Sequence, residues 1–273
     1  MKGLKIALSL LITASLLIGC SDDKSEEVKK ESVESSIKVE ETNMAIINKL
    51  TATWCGPCGD WGWDLFEGII ADNHNDAIII GTYGSSSSKL KNPTAELFKK
   101  DFAPSAGWPA FCVNGANETE YSSTGGIYTT TTQTNCKSAV DAHKNSEVLV
   151  NAGYEANIED GKLTIKARSL FFKDGDAAAE YKMGAYVMED KVKETQAGKT
   201  GIVEHHHVLR GSMTATDLYG VKIEGGSTSG ASFEHTFTMD IPAEYIQENL
   251  EYAVVIWKVN GSKHEFVNAY QSK

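Results

Sequence analysis

The sequence predicts an α/β domain followed by an all-β sandwich of immunoglobulin-like or jelly-roll-like form, and three observations carry that reading. An apolar strand, an amphipathic helix and a second apolar strand follow one another between residues 45 and 83. Near Ser146 the helical periodicity ends and alternating segments bounded by turn dipeptides take over. A chain of 273 residues is long enough for two cores.

The N-terminal part is read first as processing signals. Met1-Lys2-Gly3-Leu4-Lys5 is basic and leads into the apolar run Ile6 to Ile18, which is too short to cross a bilayer as a mature helix. Residues 1–19 therefore read as a signal peptide. Its end, Leu17-Ile18-Gly19-Cys20, resembles the lipobox of bacterial lipoproteins, which implies that Cys20 is lipidated and becomes the mature N-terminus. Residues 20–42 are mostly Ser, Lys, Glu, Asp and Val without an aromatic residue, so they read as a disordered acidic tether reaching roughly 25 Å. The formal net charge of -11 repels polyanions and excludes nucleic acid as a natural partner.

Residues 43–146 form the predicted α/β domain. Ala45-Ile46-Ile47 and the Ile-rich segment Ala77 to Tyr83 read as buried strands, and Trp61, Leu65 and Ile69 recur at helical spacing between them. Strand, helix, strand implies parallel pairing through a crossover. Residues 147–273 form the predicted sandwich. Asp160-Gly161 and Asn260-Gly261 are hairpin turns, Leu163, Ile165 and Ala167 alternate inward, Phe233 to Met239 does likewise, and Ala253 to Val259 is a buried run.

Trp54-Cys55-Gly56-Pro57-Cys58 falls between the first strand and the helix. A cysteine at a helix start faces unpaired N–H groups that favour its thiolate, so Cys55 is expected to be the exposed nucleophile and Cys58, one turn on, the resolving thiol. A bare pair at this spacing also suits half of a zinc site or a structural bridge. The motif resembles that of thioredoxin without a gap, and Gly107-Trp108-Pro109-Ala110-Phe111 with Val113-Asn114-Gly115 resembles its cis-proline loop and following strand. The resemblance implies a thioredoxin-like domain in which Trp54, Cys55, Cys58 and Pro109 make up the site.

Two positions depart from that pattern. Lys49 stands six residues before Cys55, where thioredoxin keeps a buried acid, and is expected to favour the Cys55 thiolate by its charge. Trp108 is bulkier than the residue usual before the proline. Cys112 and Cys136 are expected to form a structural disulfide closing a loop of about 25 residues, worth roughly 3 kcal/mol in chain entropy. The alternative is a second relay pair exchanging with Cys55 and Cys58.

Glu204-His205-His206-His207-Val208-Leu209-Arg210 is the remaining conspicuous string. On a strand His205 and His207 share a face, which suits two imidazoles on a metal, but no third ligand follows from spacing. The competing reading places them as polar residues on a sheet edge or domain boundary. Together the lipobox, the Thr53-Trp54-Cys55-Gly56-Pro57-Cys58 segment, His205 to Arg210 and the terminal β-region resemble the twenty-eight-kilodalton outer-membrane protein family of Gram-negative envelopes. That resemblance implies an outer-membrane location, periplasmic or surface-facing.

Two functions follow from these readings. One is a membrane-anchored thiol-disulfide oxidoreductase acting on exported, cysteine-containing proteins with a separate redox partner and no bound cofactor or metal. The other is a binding or adhesion lipoprotein whose thioredoxin-like domain is a scaffold. Oxidant, reductase and isomerase chemistry all use the same cysteine pair.

Overall fold

The structure, a computed structural model, describes residues 35–103, 105–124 and 126–272. The signal peptide, Cys20 and most of the tether lie outside the described residues. The described residues from Ser36 onward belong to one compact unit. No helix among the described residues is long and apolar enough to cross a membrane.

The elements follow the chain as β1 (Ala45–Leu50), α1 (Gly56–Gly59), α2 (Trp61–Asn73), β2 (Ala77–Thr82), α3 (Pro93–Phe102), β3 (Ala110–Val113), β4 (Ala116–Asn117) and α4 (Thr129–Lys144). Then come β5 (Val150–Glu159), β6 (Lys162–Phe171), β7 (Glu180–Glu189), β8 (Val192–Thr195), β9 (Ile202–His205) and β10 (Val208–Ser212). The last strands are β11 (Val221–Lys222), β12 (Ser232–Asp240), β13 (Leu250–Asn260) and β14 (Lys263–Tyr270).

Strand β1 pairs in parallel with β2, from Ala45 against Ala77 to Leu50 against Thr82, and α2 connects them. Both strands are buried along their whole length, so Ala45 to Ile47 and Ala77 to Ile80 read as apolar runs, while Asn48 and Lys49 of β1 are buried polar residues. The helix buries Leu65, Phe66 and Ile69, as its four-residue spacing dictates. Strand β3 adds antiparallel to the other edge of β1.

The expected boundary at 146/147 divides the chain but not the sheet. The order is β14-β13-β7-β10-β2-β1-β3-β4, with β11 also on β7, so strands from both halves share one nine-stranded sheet. The join is parallel, Val208 of β10 against Gly81 of β2, and the Gly81 N–H donates to the His207 carbonyl at 2.7 Å. Without β10, the edge of β2 would present unpaired backbone groups. A single bridge of this kind leaves no trace in periodicity, which is why sequence reading separates the halves.

A sandwich does form beyond residue 146, but one of its sheets is this shared one. The other is β12-β6-β5, whose Leu163, Ile165, Ala167 and Phe237 pack on Ala185, Val187, Val254 and Ile256. The opposite faces of β7 and β13 carry Tyr186, Met188, Val255 and Trp257 into a second core with Phe98 and Phe102 of α3 and with Ile46 and Ile78. Helix α3 thus bridges both halves. On the other face of β1 and β2, α2 and α4 enclose a third core around Ile47, Ile79 and Phe111.

The Asp160-Gly161 turn has both residues at positive φ, 49° and 73°, as a two-residue type I′ hairpin requires. At the second turn Asn260 pairs with Lys263, so the turn residues are Gly261 and Ser262, one step later than the dipeptide suggests. Gly261 takes φ 62° as the first of them, as in a II′ turn. Residues 37–42, expected as part of the tether, pack against the folded part. Ile37 is buried, Asn151 donates to the Glu40 carbonyl at 3.0 Å, and Arg168 donates to the Ile37 carbonyl at 3.3 Å. Gly153 permits this, because a Cβ there would lie 2.1 Å from the Lys38 carbonyl oxygen.

Candidate active site

The end of β1 delivers the chain through Thr51 to Trp54 into the cysteine motif. Cys55 is the N-cap of α1, with φ −79° and ψ 111°, and its Sγ accepts from the Cys58 N–H at 3.2 Å. Pro57 occupies the first turn, where its missing N–H has no helical partner to lose. Helix α1 is four residues long and breaks at Asp60, ψ −118°, before α2 begins, so the motif sits on its own short turn rather than opening the long helix.

Cys55 and Cys58 are disulfide-bonded, with Cα atoms 5.3 Å apart. Cys55 is 3% exposed and Cys58 1%, so the expectation of an exposed Cys55 is corrected: both cysteines are covered. Trp108 packs on the pair together with Ala52. Trp54 stands edge-on to Trp108 with ring centres 6.1 Å apart, remains 49% exposed, and donates its Nε1 to Ser85 Oγ at 3.0 Å. The Lys99 ammonium lies 5.0 Å from the Trp108 ring.

The Trp108–Pro109 peptide is cis. The Pro109 ring is seated against α2 at Gly62, where a Cβ would come 2.6 Å from its Cγ and 2.9 Å from the Pro57 carbonyl oxygen. Gly62 is thereby the position that lets the proline loop and the cysteine turn approach. Sequence reading passes over it, since an isolated glycine in a helix carries no signal of what it touches.

A second contributor comes from the far half of the chain. Between β8 and β9, which among the described residues pair only with each other, the turn reaches the cysteine motif. Gln196 donates Nε2 to the Cys55 carbonyl at 2.8 Å and to the Ala52 carbonyl at 3.2 Å, and the Ala197 N–H donates to the Thr53 carbonyl at 2.8 Å. Two glycines make the contact possible. A Cβ on Gly59 would lie 2.1 Å from the Ala197 carbonyl oxygen, and one on Gly198 would lie 2.5 Å from that of Gly56. In sequence, Gln196-Ala197-Gly198-Lys199 is an ordinary polar turn.

Lys49 is buried, with Nζ 5.1 Å from the Trp63 ring and 4.7 Å from Phe66. Burial lowers its pKa to about 7, against a smaller opposing effect of Glu67. Around it the structure brings together Tyr83 and His205, which line the same small cavity of about 10 Å³. His205 Nε2 donates to the Glu194 carbonyl at 3.3 Å, which leaves Nδ1 to accept the Tyr83 hydroxyl at 2.5 Å. Burial holds the His205 pKa down at about 4, keeping the ring neutral, and pushes the Tyr83 hydroxyl up. The ion nearest the aromatic pocket and the first histidine of the string thus belong to one buried polar cluster.

The three imidazoles diverge, so His205 and His207 do not share a ligand position. His206 pairs with Asp190 and His207 with Glu251, each at 2.7 Å. His207 has φ 52°, the backbone reversal that turns β9 into β10. Burial opposes its protonation, but the Glu251 hydrogen bond and charge outweigh this and raise its pKa. Arg210 closes the string with a two-pronged contact to buried Glu189, Nε at 2.7 Å and Nη2 at 2.6 Å from Oε2. The string is the junction between the halves.

Cys112 and Cys136 are free thiols in the structure, which corrects the expected structural disulfide. Strand alternation explains it. Cys112 points with Ala110 into the α3 core, while Cys136 on α4 lies in the core on the opposite face with Phe111 and Val113. Burial pushes both thiols up to about 12, and each thiol is inert on that account.

A scan against protein-family models and a search of curated proteins find no match. Among solved structures, HBP35 of Porphyromonas gingivalis aligns over 86% of this chain and 76% of its own at 15% identity, with a TM-score of 0.66. A domain of the outer membrane lipoprotein Omp28 from Porphyromonas gingivalis covers 46% of this chain and 87% of its own at 15% identity, with a TM-score of 0.31, too low to carry an argument. The likeness to HBP35 is one of fold, and it extends across both halves of the chain.

Proposed function

We propose that the protein is an envelope thiol-disulfide oxidoreductase of thioredoxin-like type, working on exported proteins through Cys55 and Cys58. The observation that carries this reading is the Cys55–Cys58 bridge at a helix start, brought against a cis-proline loop through Gly62. In the oxidised form a substrate thiolate attacks Cys55 Sγ, forms a mixed disulfide and releases the Cys58 thiolate. A second substrate thiolate then displaces Cys55, so two electrons pass from substrate to the pair. The Cys58 N–H, already directed at Cys55 Sγ, stabilises the thiolate left there. In the reduced form the same steps run in reverse. The lipid anchor at Cys20 belongs to this reading and places the site at the membrane surface; mass spectrometry of the mature protein should find acyl groups on that residue.

The test is trapping in living cells. Cys58→Ser retains the attacking thiol and should accumulate mixed disulfides with envelope proteins and with the redox partner, whereas Cys55→Ser should accumulate almost none. A Cys58→Ser protein that traps nothing sinks the enzyme reading. The second reading, a binding scaffold with a merely structural bridge, draws on the burial of both cysteines.

A further inference from the structure

Neither sulfur can be attacked in the arrangement described, because both cysteines are all but sealed from solvent. Thiol-disulfide exchange requires the incoming sulfur to line up with the S–S bond, so something must withdraw before the pair reacts. Two structural parts close on the motif: Trp108 of the proline loop packs on the two cysteines, and the turn between β8 and β9 bonds the motif backbone, the Cys55 carbonyl included.

The turn is built to move as a unit. Among the described residues its two strands form a sheet of their own. Its tip meets the cysteine motif through three side-chain or backbone hydrogen bonds and two glycine contacts. Outward-facing ion pairs add to the hold: Lys89 bonds Glu194 at 2.9 Å, and Lys199 lies 4.0 Å from Asp64. The base of the hairpin is fastened more firmly, through buried Val192 and His205. A firm base and a polar, hydrogen-bonded tip describe a flap rather than a wall.

We propose that the β8–β9 hairpin is a gate over the Cys55–Cys58 pair, releasing it when Gln196 and Ala197 let go of the motif backbone. The proposal rests on the exchange reading above and assigns regulation of that site to a segment from the other half of the chain. It gives the junction between the halves a purpose, since a separate redox domain would lack its cover.

Reduction of the full oxidised chain by dithiothreitol tests this. One dithiothreitol thiolate attacks Cys55 Sγ and expels the Cys58 thiolate; its second thiolate expels Cys55 and closes the ring. Two electrons enter the pair and both thiolates take protons from water. If opening precedes attack, the wild-type rate should level off as dithiothreitol is raised, at a plateau set by the gate. Gln196→Ala removes hydrogen bonds from the closed state and should lift the rate about tenfold. In wild type, exchange of the Ala197 amide should occur well before that of β7 amides, because the flap lifts without global unfolding.

A rate linear in dithiothreitol throughout and unchanged by Gln196→Ala overturns the gate. So does an Ala197 amide that exchanges only with global unfolding, or a rate raised by Trp108→Ala alone. If Gln196→Ala is reduced faster yet Cys58→Ser traps no protein, the gate stands and the exchange reading falls.

Discussion

The Tyr83 hydroxyl donates to Nδ1 of His205 at 2.5 Å, joining residues 122 positions apart in a cluster that also holds Lys49. Burial disfavours charge on both bases. Lys49 loses its proton at about 7 in the folded protein against 10.5 in the unfolded chain, and His205 at about 4 against 6.5. In each interval the unfolded chain binds the extra proton, so stability rises with pH through both windows. Replacing the lysine should relieve the penalty where it is complete. Lys49→Met is expected to stabilise by about 2–4 kcal/mol near pH 6 and by much less near pH 10, read by denaturant unfolding at the two values.

Arg210 and Glu189 make a different kind of contact, a charge pair with the carboxylate only 2% exposed. Glu189 Oε1 also accepts from the Ile246 N–H at 2.9 Å. Arg210→Ala leaves the carboxylate buried with that one donor and should cost about 3–5 kcal/mol. The double change to Arg210→Met with Glu189→Met should cost markedly less, since no charge is then stranded. Equal losses in single and double variants would show that packing on Tyr245, 4.4 Å from the guanidinium, matters more than charge.

At Gly62 the expected cost is steric. An added methyl group meets both the Pro109 ring and the Pro57 carbonyl. Gly62→Ala should therefore lower stability by about 1–3 kcal/mol and slow exchange, because the proline loop and the cysteine turn are forced apart. Gly56→Ala, where a Cβ meets nothing within 4 Å, is the matched control and should do far less.

Alkylation of the unfolded, unreduced chain should modify Cys112 and Cys136 and leave Cys55 and Cys58 untouched, with peptide mass spectrometry as the readout. In the folded chain at neutral pH both thiols should resist the reagent, being buried and held protonated. Recovery of a peptide linking the two would restore the bridge that strand alternation argues against.

Local features were legible in the sequence where one segment alone determines them. The runs at Ala45 and Ala77, the α2 face with Leu65 and Ile69, the Asp160-Gly161 turn and the inward alternation of β6 follow from periodicity and turn chemistry. Cys55 and Cys58 are recognisable because their spacing carries a mechanism, and Trp108 and Pro109 through the resemblance to thioredoxin. Gln196 and Tyr83 are not, since each acts through a partner more than a hundred positions away in the chain. The Cys112–Cys136 expectation failed for a related reason: parity and loop length say nothing about which side of a sheet a sulfur faces. Lys49 was noticed for its position, but its surroundings, two aromatic rings and a neutral histidine, required the fold.

The bridge from β2 to β10 limits what can be exchanged between such proteins. A segment ending near residue 146 cannot be lifted out and fused to a foreign partner as a ready cassette. It would leave with a raw strand edge at Gly81, half of the aromatic core around Phe98 and Trp257, and a disulfide stripped of its flap. Any recombination that keeps the surroundings of Cys55 and Cys58 intact must carry the junction strand and the β8–β9 hairpin along.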